Sequence, residues 1–157
     1  MITVGCSTAV LIGNLLDLAH NGTFDLIIHG CNCQHRMGAG IALELARRWP
    51  DVAAADQAVA APQLGQFSTA VVHNRYAKPL MVCNAYTQVR PGRDARVQAI
   101  EQALQSISAQ YDDPRLRIGY PLIGCGLGGL GWDEVGPVVN RALAGRDHTL
   151  VLLSAKA

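Results

Sequence analysis

The segment His29-Gly30-Cys31-Asn32-Cys33-Gln34-His35-Arg36 crowds two imidazoles, two thiols, two amides and a guanidinium into eight residues. His29 is a candidate general acid or base near neutral pH. The competing fate, a satisfied structural histidine at a strand end, is the commoner one. Asn32 can donate and accept through one amide, which suits a ribose hydroxyl as well as it suits the residue's own loop. His29, Cys31, Cys33 and His35 alternate, so a strand would turn all four to one side. Four ligands so close together are too compact for a tetrahedral zinc site, which draws on two separated pairs. The C-x-C spacing is also wrong for a dithiol redox centre. No metal and no cofactor is expected.

Two glycine-rich segments offer a different chemistry, that of the backbone. The first, Met37-Gly38-Ala39-Gly40-Ile41-Ala42, leads into a helical pattern. Small residues there allow close approach of an anion to the unpaired N–H groups and positive dipole end of a helix start. The second is Gly124-Cys125-Gly126-Leu127-Gly128-Gly129-Leu130-Gly131. It satisfies G-x-G-x-x-G, but a dinucleotide fold needs an acidic residue about 20 positions on. Thr149 stands there, with almost no chain left. No lysine follows the glycines, so a Walker A loop is excluded too. Successive amides forming an anion nest remain, and two such nests suit a diphosphate.

Alternating elements must position these loops. Apolar runs at Ile2–Val4 and Ala9–Ile12 open the chain, and a short helix from Leu15 is closed by Asn21-Gly22. Phe24–His29 reads as a buried strand. Helices are expected over Ile41–Trp49 and Val52–Ala61, and strands over Thr69–His73 and Leu80–Tyr86. Ala95–Gln110 carries apolar residues at helical spacing. A strand at Arg117–Leu122, a helix at Trp132–Leu143 and a strand at Thr149–Leu153 complete the series. Such alternation implies a three-layer α/β/α sandwich around a mixed, mainly parallel sheet. Ligands in these sheets sit beyond the carboxyl ends of strands, where both glycine loops fall.

The 157 residues suit a single domain spanning 1–157. Half are apolar and 16% are charged, which excludes a disordered chain. Lys plus Arg number 13 against 12 for Asp plus Glu, so plain electrostatic binding of nucleic acid is not expected. No apolar run approaches a membrane span, and no basic stretch precedes an apolar one at the amino terminus. Five cysteines without framework spacing fit free thiols in a cytoplasmic protein. A monomer without membrane contact is expected.

Taken in order, Leu11-Ile12-Gly13-Asn14-Leu15-Leu16, Ile27 to Cys33, Met37 to Ala42, and Tyr120 to Leu127 with Trp132 resemble the macrodomain family, which binds ADP-ribose. The likeness covers nearly the whole chain. It is strongest to the branch holding the yeast-type ADP-ribose-1″-phosphate phosphatase, the terminal ADP-ribose glycohydrolase and phage proteins. The resemblance implies a site built from Gly13, Asn14 and Leu15 near adenine, with Asn32 at the distal ribose. Met37, Gly38, Ala39, Gly40 and Ile41 would lie over one phosphate and the distal ribose. Ile123, Gly124, Cys125, Gly126, Leu127 and Gly128 would lie over the diphosphate.

The glycohydrolase's lysine nucleophile aligns with Gln88 and its acidic partner with Gly128, so that covalent route is missing here. The phosphatase-like members' histidine aligns with His29, the catalytic candidate. Three functions follow in order. An enzyme would remove a group at C1″ of ADP-ribose, as a phosphatase or a de-ADP-ribosylating hydrolase. A reader module would bind ADP-ribose without turnover. A structural or toxin-neutralising partner would keep only a vestigial pocket. Tyr86 and Trp132 are candidate adenine-stacking residues, although both suit the core equally. Arg36, Arg90 and Arg93 are candidate phosphate contacts or solvated loop residues.

Overall fold

The computed structural model describes residues 8–154; the apolar run Ile2–Val4 lies outside them. In chain order the elements are β1 (Ala9–Ile12), α1 (Leu15–His20), β2 (Leu26–Asn32), α2 (Gly40–Arg48), α3 (Pro50–Gln57) and β3 (Phe67–His73). They continue with β4 (Pro79–Gln88), α4 (Val97–Gln110), β5 (Arg117–Tyr120), α5 (Trp132–Ala142) and β6 (Asp147–Leu152). One six-stranded sheet runs β1-β6-β5-β2-β4-β3. Every neighbouring pair is parallel except β3 with β4. The sheet is therefore mixed and mainly parallel, as the alternation implies.

Local chemistry explains the boundaries. Asn14 caps α1, its Oδ1 accepting from the amides of Leu16 at 3.0 Å and Asp17 at 3.1 Å. Pro50 opens α3, and Trp49 before it leaves the helical region, so α2 and α3 are separate. Between β3 and β4, the Asn74 Oδ1 accepts from the amides of Tyr76 and Lys78 and holds the connection.

Strand alternation divides the core between two faces. Leu26, Ile28, Cys83 and Ala85 pack with Ile100, Leu104 and Ile107 of α4 and with Val135 and Val139 of α5. Ile27, Leu80 and Val82 pack with Leu15 and Leu16 of α1, Leu45 of α2 and Val52 of α3. Helices thus cover both faces, giving three layers. Among the described residues no helix is long and apolar enough to cross a membrane.

Two strands run further than their apolar patterns suggest. β2 continues past His29 to Asn32, and β4 past Tyr86 to Gln88. Thr87 is fully covered, and a Cβ on Gly30 would meet its Oγ1 at 2.8 Å. Gly30 thereby leaves the cross-strand space that Thr87 fills, and pairing persists to Asn32 opposite Gln88. This extension carries both polar residues to the edge where the parallel strands end.

Candidate ligand-binding site

A cavity of about 610 Å³ opens beyond the carboxyl ends of β2, β4, β5 and β6. That volume lies within the range of small-molecule and cofactor sites. Both glycine loops form its wall, through Gly38–Ile41 on one side and Ile123, Gly124 and Gly126–Gly128 on the other. The loops therefore face a common space.

Each loop carries unused amides at residues that line that space. Ala39, at the N-cap of α2, makes no side-chain capping bond. The first-turn N–H groups that follow have no helical carbonyl to bond. In the second loop, the amides of Gly126, Leu127 and Gly128 donate to no acceptor among the described residues. The loop is held by its flanks instead, with Cys125 N donating to Leu122 O and Leu130 N to Gly124 O. Gly124 and Gly129 have φ of +76° and +86°, values that favour glycine. Three consecutive free amides beside a helix N-terminus are donors of the kind that can bind an anion through backbone alone.

Side chains on the wall are mostly neutral. Cys31, Asn32, Thr87 and Gln88 contribute polar groups, and Arg36 is the one charged residue among them. The wall holds no carboxylate, lysine or histidine among the described residues. Burial raises the Cys31 thiol pKa well above its usual value, so it remains protonated.

Asn32 is tied into its own loop. Its Nδ2 donates to Arg36 O at 2.8 Å, and its Oδ1 accepts from the amides of Gln34 at 3.0 Å and Arg36 at 3.2 Å. The Oδ1 is occupied by two donors, while one Nδ2 hydrogen stays unused on the cavity wall, so the geometry leaves Asn32 a single donor for a ribose hydroxyl beside its role as a loop clamp. Gln88, paired with Asn32 on the adjacent strand, acts similarly: its Nε2 donates to the carbonyls of Arg90 at 2.7 Å and Gly92 at 2.9 Å.

His29 requires the larger correction. It is 1% exposed and absent from the wall. Register pairs it with Asn84, and alternation turns both side chains toward α3. The Nε2 of His29 lies 2.5 Å from Asn84 Oδ1. Asn84 Nδ2 donates to Val52 O and Ser68 Oγ, so its Oδ1 is the acceptor and the His29 Nε2 carries the proton. Burial drops the His29 pKa to about 4. The neutral ring is covered by α3 and does not line the cavity, so the geometry does not support the catalytic role expected of it.

The same buried layer holds an acidic residue with no precursor among the expected site residues. Asp56 of α3 is 1% exposed. Its Oδ1 accepts from Tyr86 OH at 2.8 Å and lies 3.2 Å from His35 Nδ1. The buried Tyr86 is thus committed to the core. Trp132 stacks on Tyr120, with centroids 6.4 Å apart, and neither candidate stacking ring lines the cavity.

Other expected residues lie around the cavity without lining it. Gly13 donates its amide to Leu152 O, and Leu152 is on the wall. Asn14 is engaged as a helix cap. Leu15 is in the core, and Met37 packs against it. Cys125 donates its thiol to Ile123 O. None of the four cysteines among the described residues is bridged, and no group of His, Cys, Asp or Glu there is arranged to hold a metal. Conversely, Thr87, Pro91, Gly92, Pro121, Leu122 and Val151–Ser154 line the wall. The rule placing ligands at parallel strand ends carried the signal for them. Motif reading alone did not.

Comparison with known proteins agrees with this architecture. Residues 28–139 match the family described as Macro domain. An uncharacterized 17.5 kDa protein from the tk-vs intergenic region of Enterobacteria phage T4 is 29% identical over 120 residues, covering 73% of this chain and 77% of its own. A DNA ADP-ribosyl glycohydrolase of Thermus aquaticus is 28% identical over 134 residues, covering 83% of this chain. This chain spans only 36% of that enzyme's length. Among solved structures, the macrodomain of Thermus aquaticus DarG superposes with a TM-score of 0.71 at 26% identity, covering 92% of this chain and 97% of that one.

Proposed function

Because the chain belongs to the macrodomain family, we propose that its cavity binds ADP-ribose or an ADP-ribosyl group carried on another molecule. One observation carries the reading. The unengaged amides of Gly126–Gly128 and the uncapped start of α2 belong to residues that line a common cavity at the carboxyl ends of parallel strands. Such an arrangement neutralises a diphosphate through fixed dipoles and needs little side-chain reorganisation. The remaining wall, largely apolar at Val151–Leu153, accommodates the uncharged ends of the ligand.

Binding without turnover stands first. Cleavage at C1″ needs a group to activate water or protonate the leaving oxygen. The wall holds neutral Gln88 and Gly128 at the two positions that the resemblance matches to the glycohydrolase's lysine and acid. His29 is sealed away.

Hydrolysis is the second reading, favoured by the likeness to an enzyme that removes ADP-ribosyl groups from DNA. It covers release of ADP-ribose from a modified strand and of phosphate from ADP-ribose-1″-phosphate. Any such activity would depend on neutral polar groups at the wall and on the ligand's own phosphates.

Titration calorimetry with ADP-ribose, ADP and ribose 5-phosphate tests the first reading. ADP-ribose and ADP should both bind, and ribose 5-phosphate much more weakly. Absence of binding by both diphosphates would overturn it. Incubation with ADP-ribosylated DNA and with ADP-ribose-1″-phosphate, followed by product separation, decides between binding and turnover.

A further inference from the structure

The cavity is polarised from end to end. Its β6 side is formed by Val151, Leu152, Leu153 and Ser154, all uncharged. Its β4 side is formed by Gln88, Pro91 and Gly92, next to Arg36. Order in the sheet is β6-β5-β2-β4, so the two sides are three strand spacings apart, roughly 14 Å. The glycine loops follow β2 and β5, between these limits. A diphosphate held by the loops leaves the β4 side for whatever the distal ribose carries.

Arg36 is fixed at that side by its backbone. Asn32 clamps both its N–H and its carbonyl, and Asn32 pairs with Gln88 at the strand ends. The Arg36 side chain is exposed and makes no hydrogen bond or ion pair among the described residues. Further arginines follow on the same side. Arg90, Arg93 and Arg96 lie in the β4–α4 connection, where Asp94 is the single carboxylate. That carboxylate accepts from the amides of Val89 and Arg90 and lies 3.5 Å from Arg96. Arg93 packs over Gly129 at the edge of the second glycine loop. Of these four arginines only Arg36 is on the cavity wall; Arg96 is paired with Asp94, and Arg93 lies at the second glycine loop.

We infer that Arg36 is a specificity-determining residue that recognises a phosphate beyond the diphosphate, joined to the distal ribose of the bound ADP-ribosyl group. The inference rests on the ADP-ribose reading above and deepens it. The preferred ligand carries a further anion at its distal end. A guanidinium matches phosphate with parallel donors, and the clamp on its backbone lowers the entropy cost of holding it there. Two sources share this chemistry: a terminal phosphate on C1″, or the phosphates of a nucleic-acid strand bearing the ADP-ribosyl group.

The test titrates wild type, Arg36→Gln and Arg36→Lys with ADP, ADP-ribose, ADP-ribose-1″-phosphate and a short ADP-ribosylated DNA strand, each at low and moderate salt. Thermal unfolding confirms that the variants fold. Wild type should bind at least one of the two phosphate-bearing ligands about tenfold tighter than ADP-ribose. Arg36→Gln should erase that gain, weakening the phosphate-bearing ligands about tenfold more than it weakens ADP or ADP-ribose, and Arg36→Lys should restore part of it. The gain should shrink with salt. A gain with the 1″-phosphate alone assigns the anion to a terminal group, and a gain with the strand alone assigns it to nucleic acid. Equal affinity of wild type for ADP-ribose and both longer ligands would overturn the inference and leave ADP-ribose binding intact. So would an equal loss for ADP in Arg36→Gln, which would place Arg36 on the diphosphate. Failure of wild type to bind ADP-ribose at all would instead overturn the reading beneath it.

Discussion

Replacing Gly128 by alanine should separate the geometry of the second loop from its mere flexibility. A Cβ at Gly128 would lie 2.7 Å from Gly124 O and 2.7 Å from the Cβ of Ala95. That is about 0.8 Å short of the roughly 3.5 Å at which carbon atoms rest. The first neighbour is backbone and the second is anchored beside α4, so neither yields as a flexible side chain would. The loop must move by a comparable distance, taking its three free amides with it. Overpacking of this kind costs about 1–3 kcal/mol, or roughly 2–10 °C in melting temperature at this chain length. A charge-assisted hydrogen bond contributes about 1.5–3 kcal/mol, so misaligning one should weaken ADP-ribose by tenfold or more. Gly126 is the control for stability, because a Cβ there meets nothing within 4 Å and Gly126→Ala should melt with wild type. Scanning calorimetry and ADP-ribose titration on both variants supply the readouts. Wild-type affinity in a folded Gly128→Ala would refute the claim that this loop's amides hold the ligand.

Asn32→Ala should cost on the order of 1–3 kcal/mol, because the amides of Gln34 and Arg36 and the carbonyl of Arg36 lose their partner; chemical denaturation measures it, and ADP-ribose affinity should fall with the loosened loop. Burial holds the His29 pKa at about 4 in the fold, below its usual 6.5, so the unfolded chain binds more protons between these values. Stability is then fully present above about pH 6.5 and lost as pH falls toward 4, by about 3 kcal/mol at most for this group. Urea unfolding from pH 4 to 7 should show that slope, and His29→Gln should flatten it, leaving the smaller part from His148, whose pKa burial also lowers. Tyr86→Phe removes the donor to Asp56 Oδ1 and should destabilise by about 1–3 kcal/mol, more than Ser68→Ala; equal melting of the two variants would contradict the buried network.

Element types and layers were legible in the sequence because they depend on short-range pattern. Apolar periodicity over Ala95–Gln110 marked a helix, and the buried residues Ile100, Leu104 and Ile107 lie on its core stripe. The glycine loops were legible for a similar reason, since both the missing side chains and the adjoining strands are visible in the chain. Side-chain roles were less so. His29, Asn32 and Asn14 have the right chemistry for a ligand site, but that chemistry suits a protein partner equally well. Asn14 spends its amide oxygen on a helix start, Asn32 on its own loop, and His29 its ring on Asn84.

What the sequence determined by itself was the order of strands and helices and the two places where backbone is left uncovered. Only the tertiary structure decided which polar groups stay free. Parallel pairing of β2 with both β4 and β5 brings loops almost ninety positions apart to the same cavity, and alternation within β2 sends His29 beneath α3. Hydrogen-bond partners are assigned by long-range contact, and a residue's type states only that it needs one.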